Sequence, residues 1–220
     1  KSKLSNINTK NLIKNFDKNN QLNHEKIKQK IDTINKDYRF AEDYLAAEIL
    51  PVKERAKFMG YVRKDGRVGT RNHIGIFVTV NCSATVARKL SRYFDAERLN
   101  DYPNVDGVTA FIHHQGCGME MTGEPMDLLR RTLSGYIRHP NIAGAVVLSL
   151  GCERNNVKSF MEQESLQAGK MLHVITMQET GGTMTAFEAG KAAIKKMLAE
   201  ANKIQRQPCS AEHLMIGLQC

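Results

Sequence analysis

The sequence contains no tryptophan, and phenylalanine and tyrosine bring the aromatic share to only 6%. A surface that binds nucleic acid by stacking bases is poorly supplied by such a composition. Nowhere do 18 apolar residues follow one another, so no membrane-spanning helix is expected. No secretory signal pattern is read at the start. Cysteine is scarce and lacks pairing patterns: there are five, an odd number, with no C-x-x-C. That argues against a disulfide framework and for a reducing, cytoplasmic setting. Basic residues outnumber acidic ones, 32 against 23, giving a formal charge of +9. Such a surplus suits an anionic ligand, but without a basic-aromatic pattern or a helix-turn-helix signature no nucleic-acid partner is expected.

The charge is unevenly spread. Residues 1–57 hold 13 Lys/Arg and 8 Asp/Glu, and the first 37 residues carry eight Asn. Leu12, Ile13 and Phe16, then Ile27, Ile31 and Ile34, give weak helical spacing, and Pro51 closes a more apolar stretch over 38–49. Residues 1–50 read as a polar, partly helical lead-in or linker, and 51–220 as one α/β domain.

From Phe58 the pattern changes. Short apolar runs at 74–80, 108–112, 143–150, 172–177 and 214–218 alternate with helical patterns at 84–94, 126–138, 155–168 and 185–204. Near-continuous apolar strands alternating with helices predict an open, doubly wound, Rossmann-like and mostly parallel sheet of about five strands, covered on both faces. Ligands of such sheets bind beyond the carboxyl ends of the strands. There the sequence places Asn81-Cys82-Ser83, His113-His114-Gln115-Gly116-Cys117, Gly151-Cys152-Glu153, Glu179-Thr180-Gly181-Gly182-Thr183, and Gln219-Cys220. Four of five cysteines therefore fall at one edge, and Cys209 in a loop after Pro208. Imidazole, thiolate and carboxylate together can hold a divalent metal or serve as acid and base. Ser83 and Thr183 can cap the following helices, and the paired glycines let backbone N–H groups approach an anion. Asp65-Gly66 signals a hairpin turn. Beside it, Arg67, Arg71 and Asn72 could clamp a carboxylate, or the arginines could simply be solvated. His113 and His114 point to opposite faces if the strand continues through them, so one of the pair is expected in the crevice.

These segments, in this order, resemble the altronate dehydratase/galactarate dehydratase family of sugar-acid dehydratases. The matching pieces run from Gly60-Tyr61 and Asp65-Gly66-Arg67-Val68-Gly69-Thr70-Arg71-Asn72 through Thr79-Val80-Asn81-Cys82-Ser83-Ala84-Thr85. They continue through His114-Gln115-Gly116-Cys117-Gly118, Leu150-Gly151-Cys152-Glu153 and Glu179-Thr180-Gly181-Gly182-Thr183 to Gly217-Leu218-Gln219-Cys220. The resemblance implies a cytoplasmic lyase that removes water from a hexonic or hexaric acid to leave a 2-keto-3-deoxy acid, with Fe(II) or Mn(II). It further implies a middle domain cut from an N-terminal SAF-like region and a large C-terminal region. On that basis His114, Glu153 and Glu179 are expected as catalytic groups, and Cys82, Cys117 and Cys152 as metal ligands. Arg67, Arg71, Asn72, Asn81, Thr180, Gly181 and Gly182 are expected on the substrate. Three alternatives accompany this reading. The thiolates could hold an iron–sulfur cluster, the chain could be a non-catalytic scaffold completed by a C-terminal region, or it could be a sulfolactate sulfo-lyase that expels sulfite. Pairing into a homodimer would be ordinary for such a domain.

Overall fold

The structure, a computed structural model, describes residues 50–219. Nearly all of the expected polar lead-in, with its weak helical spacing, and Cys220 lie outside the described residues. After a 3-10 turn at Val52–Glu54, strand β1 (Lys57–Val62) turns through Asp65-Gly66 into the short β2 (Val68–Gly69). Gly66 takes φ +83°, and Arg63 N–H donates to Arg67 O across the turn at 2.8 Å, so the hairpin expected there is formed.

The parallel sheet follows. Strands β3 (His73–Val78), β4 (Gly107–Phe111), β5 (Ile142–Ser149) and β6 (Leu172–Thr176) lie in the order β4-β3-β5-β6, all parallel. Helices α1 (Ala84–Tyr93) and the one-turn α2 (Ala96–Leu99) join β3 to β4; α3 (Glu124–Ile137) joins β4 to β5, and α4 (Val157–Gln163) joins β5 to β6. Helix α5 (Thr183–Ala201) follows β6, and the chain then runs into β7 (Gln207–Ser210).

Side chains alternate along the strands, so each central strand feeds two cores. Ile74, Ile76 and Val78 of β3 with Val146 and Leu148 of β5 meet α1 and α5 on one side. Phe77 with Ala145 and Val147 meets Leu133 of α3 and Phe160 of α4 on the other. Burial on both faces is why these strands read as unbroken apolar runs. Gly75 leaves room for the Phe77 ring, which stacks on Phe111 at 4.6 Å and 7°. Helix α1 turns Val86, Ala87 and Leu90 inward and Arg88, Lys89 and Arg92 outward. It lies close to α5: a Cβ on Gly190 would stand 2.7 Å from Leu90 Cδ1.

Two expectations are corrected. The parallel sheet has four strands, because residues 214–218 form no strand. An apolar run becomes a strand only when its backbone finds a ladder partner; this run has none among the described residues, and Met215, Ile216 and Leu218 are exposed. Cys209 is not in a loop. It is buried in β7, which pairs antiparallel with β1 (Lys57 opposite Ser210, Phe58 opposite Cys209), giving a second sheet of order β2-β1-β7. Pro208 is tolerated there because β7 is an edge strand. No described helix is long and apolar enough to cross a membrane.

Phe77 is the sharpest test of the two-sided core. Phe77→Ala should lower the unfolding free energy by about 3–5 kcal/mol in urea titrations, whereas exposed Leu128→Ala should stay within about 0.5 kcal/mol.

Candidate functional site

The order β4-β3-β5-β6 makes the chain reverse direction at β3. Helix α1 leaves β3 toward one face and α4 leaves β5 toward the other, so a crevice opens between the carboxyl ends of these neighbours. Its floor is polar and closed. Glu153, only 6% exposed, receives Thr79 Oγ1–H at 2.7 Å and Ser149 Oγ–H on Oε1, and Gly151 N–H at 2.6 Å on Oε2. Burial pushes this carboxyl up. Hydrogen bonds from Ser149, Thr79, its own backbone N–H and Gly151 more than offset that, so the group lies below its ordinary range and stays ionised. With both oxygens engaged by neighbours, Glu153 ties the end of β3 to the loop after β5.

Asn155, fully buried, adds the third loop. Its N–H donates to Gly116 O at 3.0 Å, its Nδ2 to Thr79 O at 3.1 Å, and its Oδ1 receives Arg130 Nε–H of α3 at 3.0 Å. Gly116 is fitted against the same spot. At φ +102° a Cβ there would stand 2.3 Å from the Thr79 carbonyl oxygen, so only glycine is accommodated. Ser83, buried, sends its hydroxyl to Val80 O (2.9 Å) and Leu148 O (3.0 Å) rather than capping α1.

The histidine pair divides its roles. His113 is half-buried: Nε2 lies 2.8 Å from Val78 O, and Gln115 N–H donates to Nδ1 at 3.1 Å. A carbonyl only accepts and an amide N–H only donates, so His113 is the neutral Nε2–H tautomer. Burial, foremost, holds its pKa below the ordinary value. His114, in the loop after β4, is exposed.

Above this floor stand Asn81, Cys82, His114, Cys117, Cys152 and Glu179, all exposed, on the loops after the four parallel strands. The thiols of Cys82, Cys117 and Cys152 are free, and Cys82 Sγ lies 3.4 Å from Asn81 Oδ1. Thr180 is committed locally: its Oγ1 lies 3.1 Å from both Thr176 O and Met177 O. Gly181 and Gly182, at φ +85° and +116°, lead into α5; Gly182 occupies the cap position, so no side chain caps this helix, and Thr183 is already helical.

Two sets of expected site residues are not gathered there. Arg67, Arg71 and Asn72 lie before β3, at the opposite edge of the sheet, roughly 20 Å of strand away. Arg67 pairs with Asp65 (2.7 Å) and Arg71 faces Asp106 (3.7 Å). Asn72 is fully buried, donating to Asn104 O (2.6 Å) and Ala201 O (3.1 Å) and accepting from Arg63 (2.9 Å). Within one copy of the chain these three cannot share a small substrate with the strand-end loops. Nor do Cys82, Cys117 and Cys152 close on one point: among the described residues no three His, Cys, Asp or Glu side chains are arranged to hold a metal ion.

The sequence assigns no role to Thr79, Ser149, Asn155 or Arg130, whereas one histidine of the 113–114 pair is expected as a structural hydrogen-bonder, and that one is His113. The available signal was a hydroxyl residue closing each central apolar strand, beside a Glu and an Asn two apart.

A sequence model described as "D-galactarate dehydratase/Altronate hydrolase, second domain" matches residues 60–202. The chain is 32% identical over 167 residues to the altronate dehydratase of Bacillus subtilis (strain 168), covering 76% of the chain and 32% of that protein. It is 32% identical over 179 residues to the L-threo-forming galactarate dehydratase of Escherichia coli (strain K12), covering 79% and 34%. It is also 27% identical over 164 residues to the beta subunit of the (2R)-sulfolactate sulfo-lyase of Chromohalobacter salexigens, covering 74% and 38%. The chain thus spans about a third of the length of the curated relatives it matches.

Stability should fall in two stages on acidification. His113 and His73 are held below the ordinary 6.5, chiefly by burial. Between that value and their folded-state values the unfolded chain binds protons that the folded chain does not, so stability is full above about pH 6.5 and declines below it. Glu153 lies below the ordinary 4.5, and Glu200 is held at about 2 by Lys203 and Lys170. Their contribution is full above the ordinary carboxyl value and is lost as pH falls toward the folded one. Urea midpoints measured from pH 8 to 3 (about the window these groups span) should show both limbs, and Glu153→Gln should flatten the lower one.

Proposed function

The chain belongs to the D-galactarate dehydratase/altronate hydrolase family, and from that membership we propose that it forms one wall of a lyase active site that removes water from a sugar acid. The observation that carries the proposal is the placement of Cys82, His114, Cys117 and Cys152, all exposed, on the loops after the adjacent strands β4, β3 and β5, beside a buried network built on Glu153 and Asn155.

The reaction removes the proton α to a carboxylate and expels the β-hydroxyl as water; the enol left behind rearranges to the 2-keto-3-deoxy acid. Two proton transfers are needed, one from carbon and one to the leaving oxygen. His114, exposed after β4, is the group of this chain suited to carry one of them; Glu179, expected for the other, follows β6, three strand spacings or about 14 Å across the sheet from β4. Asn81 offers its side-chain amide to hydroxyl or carboxylate oxygens, whereas the N–H groups of Gly181 and Gly182, expected on the substrate, are already given to Gln178 O and Met177 O. Glu153 is a positioning group in this reading, because both its oxygens are already used. Arg67, Arg71 and Asn72 stabilise the opposite edge.

The thiols on the rim suit Fe(II) or an iron–sulfur cluster better than Mn(II), which prefers oxygen donors. The described residues do not form a complete set for any of them, so Cys82, Cys117 and Cys152 would be partial ligands, completed from elsewhere in the protein. A divalent ion bound there would act as a Lewis acid on the substrate oxygens. Exposed free thiols also suit a reducing, cytoplasmic setting.

The sulfo-lyase relative supports a second reading in which sulfite replaces water as the leaving group while the proton abstraction is unchanged. Full-length protein, prepared anaerobically with Fe(II), should form 2-keto acid from altronate or galactarate, and His114→Ala should lower kcat by about 10²–10⁴-fold. Sulfite release from sulfolactate without turnover of either sugar acid would select the second reading. Wild-type turnover by His114→Ala would remove His114 from the chemistry.

A further inference from the structure

We propose that Asn155 is a positioning residue for the reaction at this rim, the centre of a buried hydrogen-bond chain that fixes the spacing of the thiol- and imidazole-bearing loops; the proposal rests on the lyase reading above. The chain starts at the Arg130 guanidinium on α3 and ends at the Glu153 carboxylate, and both charged groups are only 6% exposed. Arg130 Nε–H donates to Asn155 Oδ1 (3.0 Å), Asn155 Nδ2–H to Thr79 O (3.1 Å), and Thr79 Oγ1–H to Glu153 Oε1 (2.7 Å). Arg130 polarises the Asn155 amide toward the Thr79 carbonyl, and the hydroxyl of the same Thr79 makes a separate bond to Glu153, so one residue at the end of β3 meets both. The amide orientation is forced, since a guanidinium only donates and a carbonyl only accepts.

Asn155 also reaches sideways. Its backbone N–H holds Gly116 O, immediately before Cys117 and two residues after His114. One residue thereby fixes the ends of β3 and β4 to its own loop after β5, and all three to α3. The exposed residues gain their positions from it at second hand: Cys82 lies three residues beyond Thr79, Cys117 beside Gly116, and Cys152 beside Glu153. No other side chain fills this place. It must accept from Arg130 and donate to the Thr79 carbonyl at once; aspartate would set an acceptor against that carbonyl, and leucine would take away the partner of Arg130 Nε–H, leaving the guanidinium only Gln163, and the side-chain donor to Thr79 O.

The position differs from an ordinary core asparagine because what it spaces is chemistry. Displacement of a reacting group by about 1 Å can cost on the order of 10²-fold in rate. Loss of the bridge should therefore appear in turnover, and in the environment of the thiols, before it appears in unfolding.

The test uses the full-length protein with Asn155→Asp, Thr79→Val and, as conservative control, Thr79→Ser. Three readouts are taken: kcat and KM for the sugar acid, thermal unfolding, and the separate alkylation rates of Cys82, Cys117 and Cys152 by iodoacetamide, resolved by peptide mass spectrometry. Asn155→Asp and Thr79→Val should lower kcat by at least about tenfold with KM within about threefold, and should shift the Cys117-to-Cys82 alkylation ratio by more than about threefold, while Thr79→Ser stays near wild type. Folded variants with wild-type kcat and alkylation ratio overturn the proposal, as does an equal rise at all three thiols that tracks loss of fold. If Asn155→Asp does not fold, Arg130→Lys, which takes away the Nε–H held by Asn155 Oδ1, is read in its place by the same three readouts. If the wild-type protein turns over neither sugar acid, the lyase reading fails, and the alkylation ratio alone decides the role of Asn155.

Discussion

A carboxylate removed from water must be met by donors or it will take up a proton, and Glu153 is met by four. The arrangement at the strand ends depends on this. Two of the donors are hydroxyls that close the central strands, Thr79 after β3 and Ser149 at the end of β5, so satisfying one charge also sets the relative height of two strand termini. Thr79 passes the constraint on through its carbonyl to Asn155, and Asn155 passes it to the loop after β4 and to α3. Net stabilisation from such a buried network is modest, because desolvation consumes most of what the hydrogen bonds return. What it confers is one geometry for three loops that otherwise consist of small and exposed residues.

The opposite edge of the sheet is organised on the same principle with the sign reversed. Asp106 accepts Asn72 N–H at 2.6 Å and lies 3.2 Å from Arg206, while Arg63 donates to Pro140 O, Asn72 Oδ1 and Arg71 O. Arg206 and Arg63 both approach the face of Tyr61 in the antiparallel sheet. Arginines here bind the second sheet to the amino ends of the parallel strands. This accounts for Arg63 and Arg206, and the two edges differ: one holds the two sheets together, the other presents exposed thiols and an imidazole.

The sequence made the parallel sheet legible because burial on both faces leaves an unambiguous mark, a run such as Ile74, Ile76, Phe77 and Val78 with no polar alternation. The gathering of the loops after each run at one edge was legible as well, since parallel topology alone places them there. Three things were not. Residues 214–218 carry strand chemistry, but pairing is not written in a segment's own composition. Strand β7 contains Pro208 and is short, so nothing local announced it; its partner β1 is some 150 residues away by sequence. Glu153 was found for its charge and then found to have a different task, because local sequence shows neither Thr79 nor Ser149 folding back on it.

The ladder between β1 and β7 sets Lys57 opposite Ser210, and Arg55 reaches Glu212 at 2.7 Å just beyond it. The peptide that leads into the α/β unit and the peptide that leads out of it therefore run side by side, with the whole parallel sheet looped between them. A unit tethered this way can be carried as an insertion in another protein, because neither tether has to cross its body to rejoin the host. It also transmits pull unusually: tension on both ends opens the short antiparallel ladder like a zipper and spares the edge where the strand-end loops meet. Divergence among descendants of such a unit can proceed at the tether and at the crevice independently, so a lineage can change what surrounds the unit without disturbing the loops that meet at Glu153.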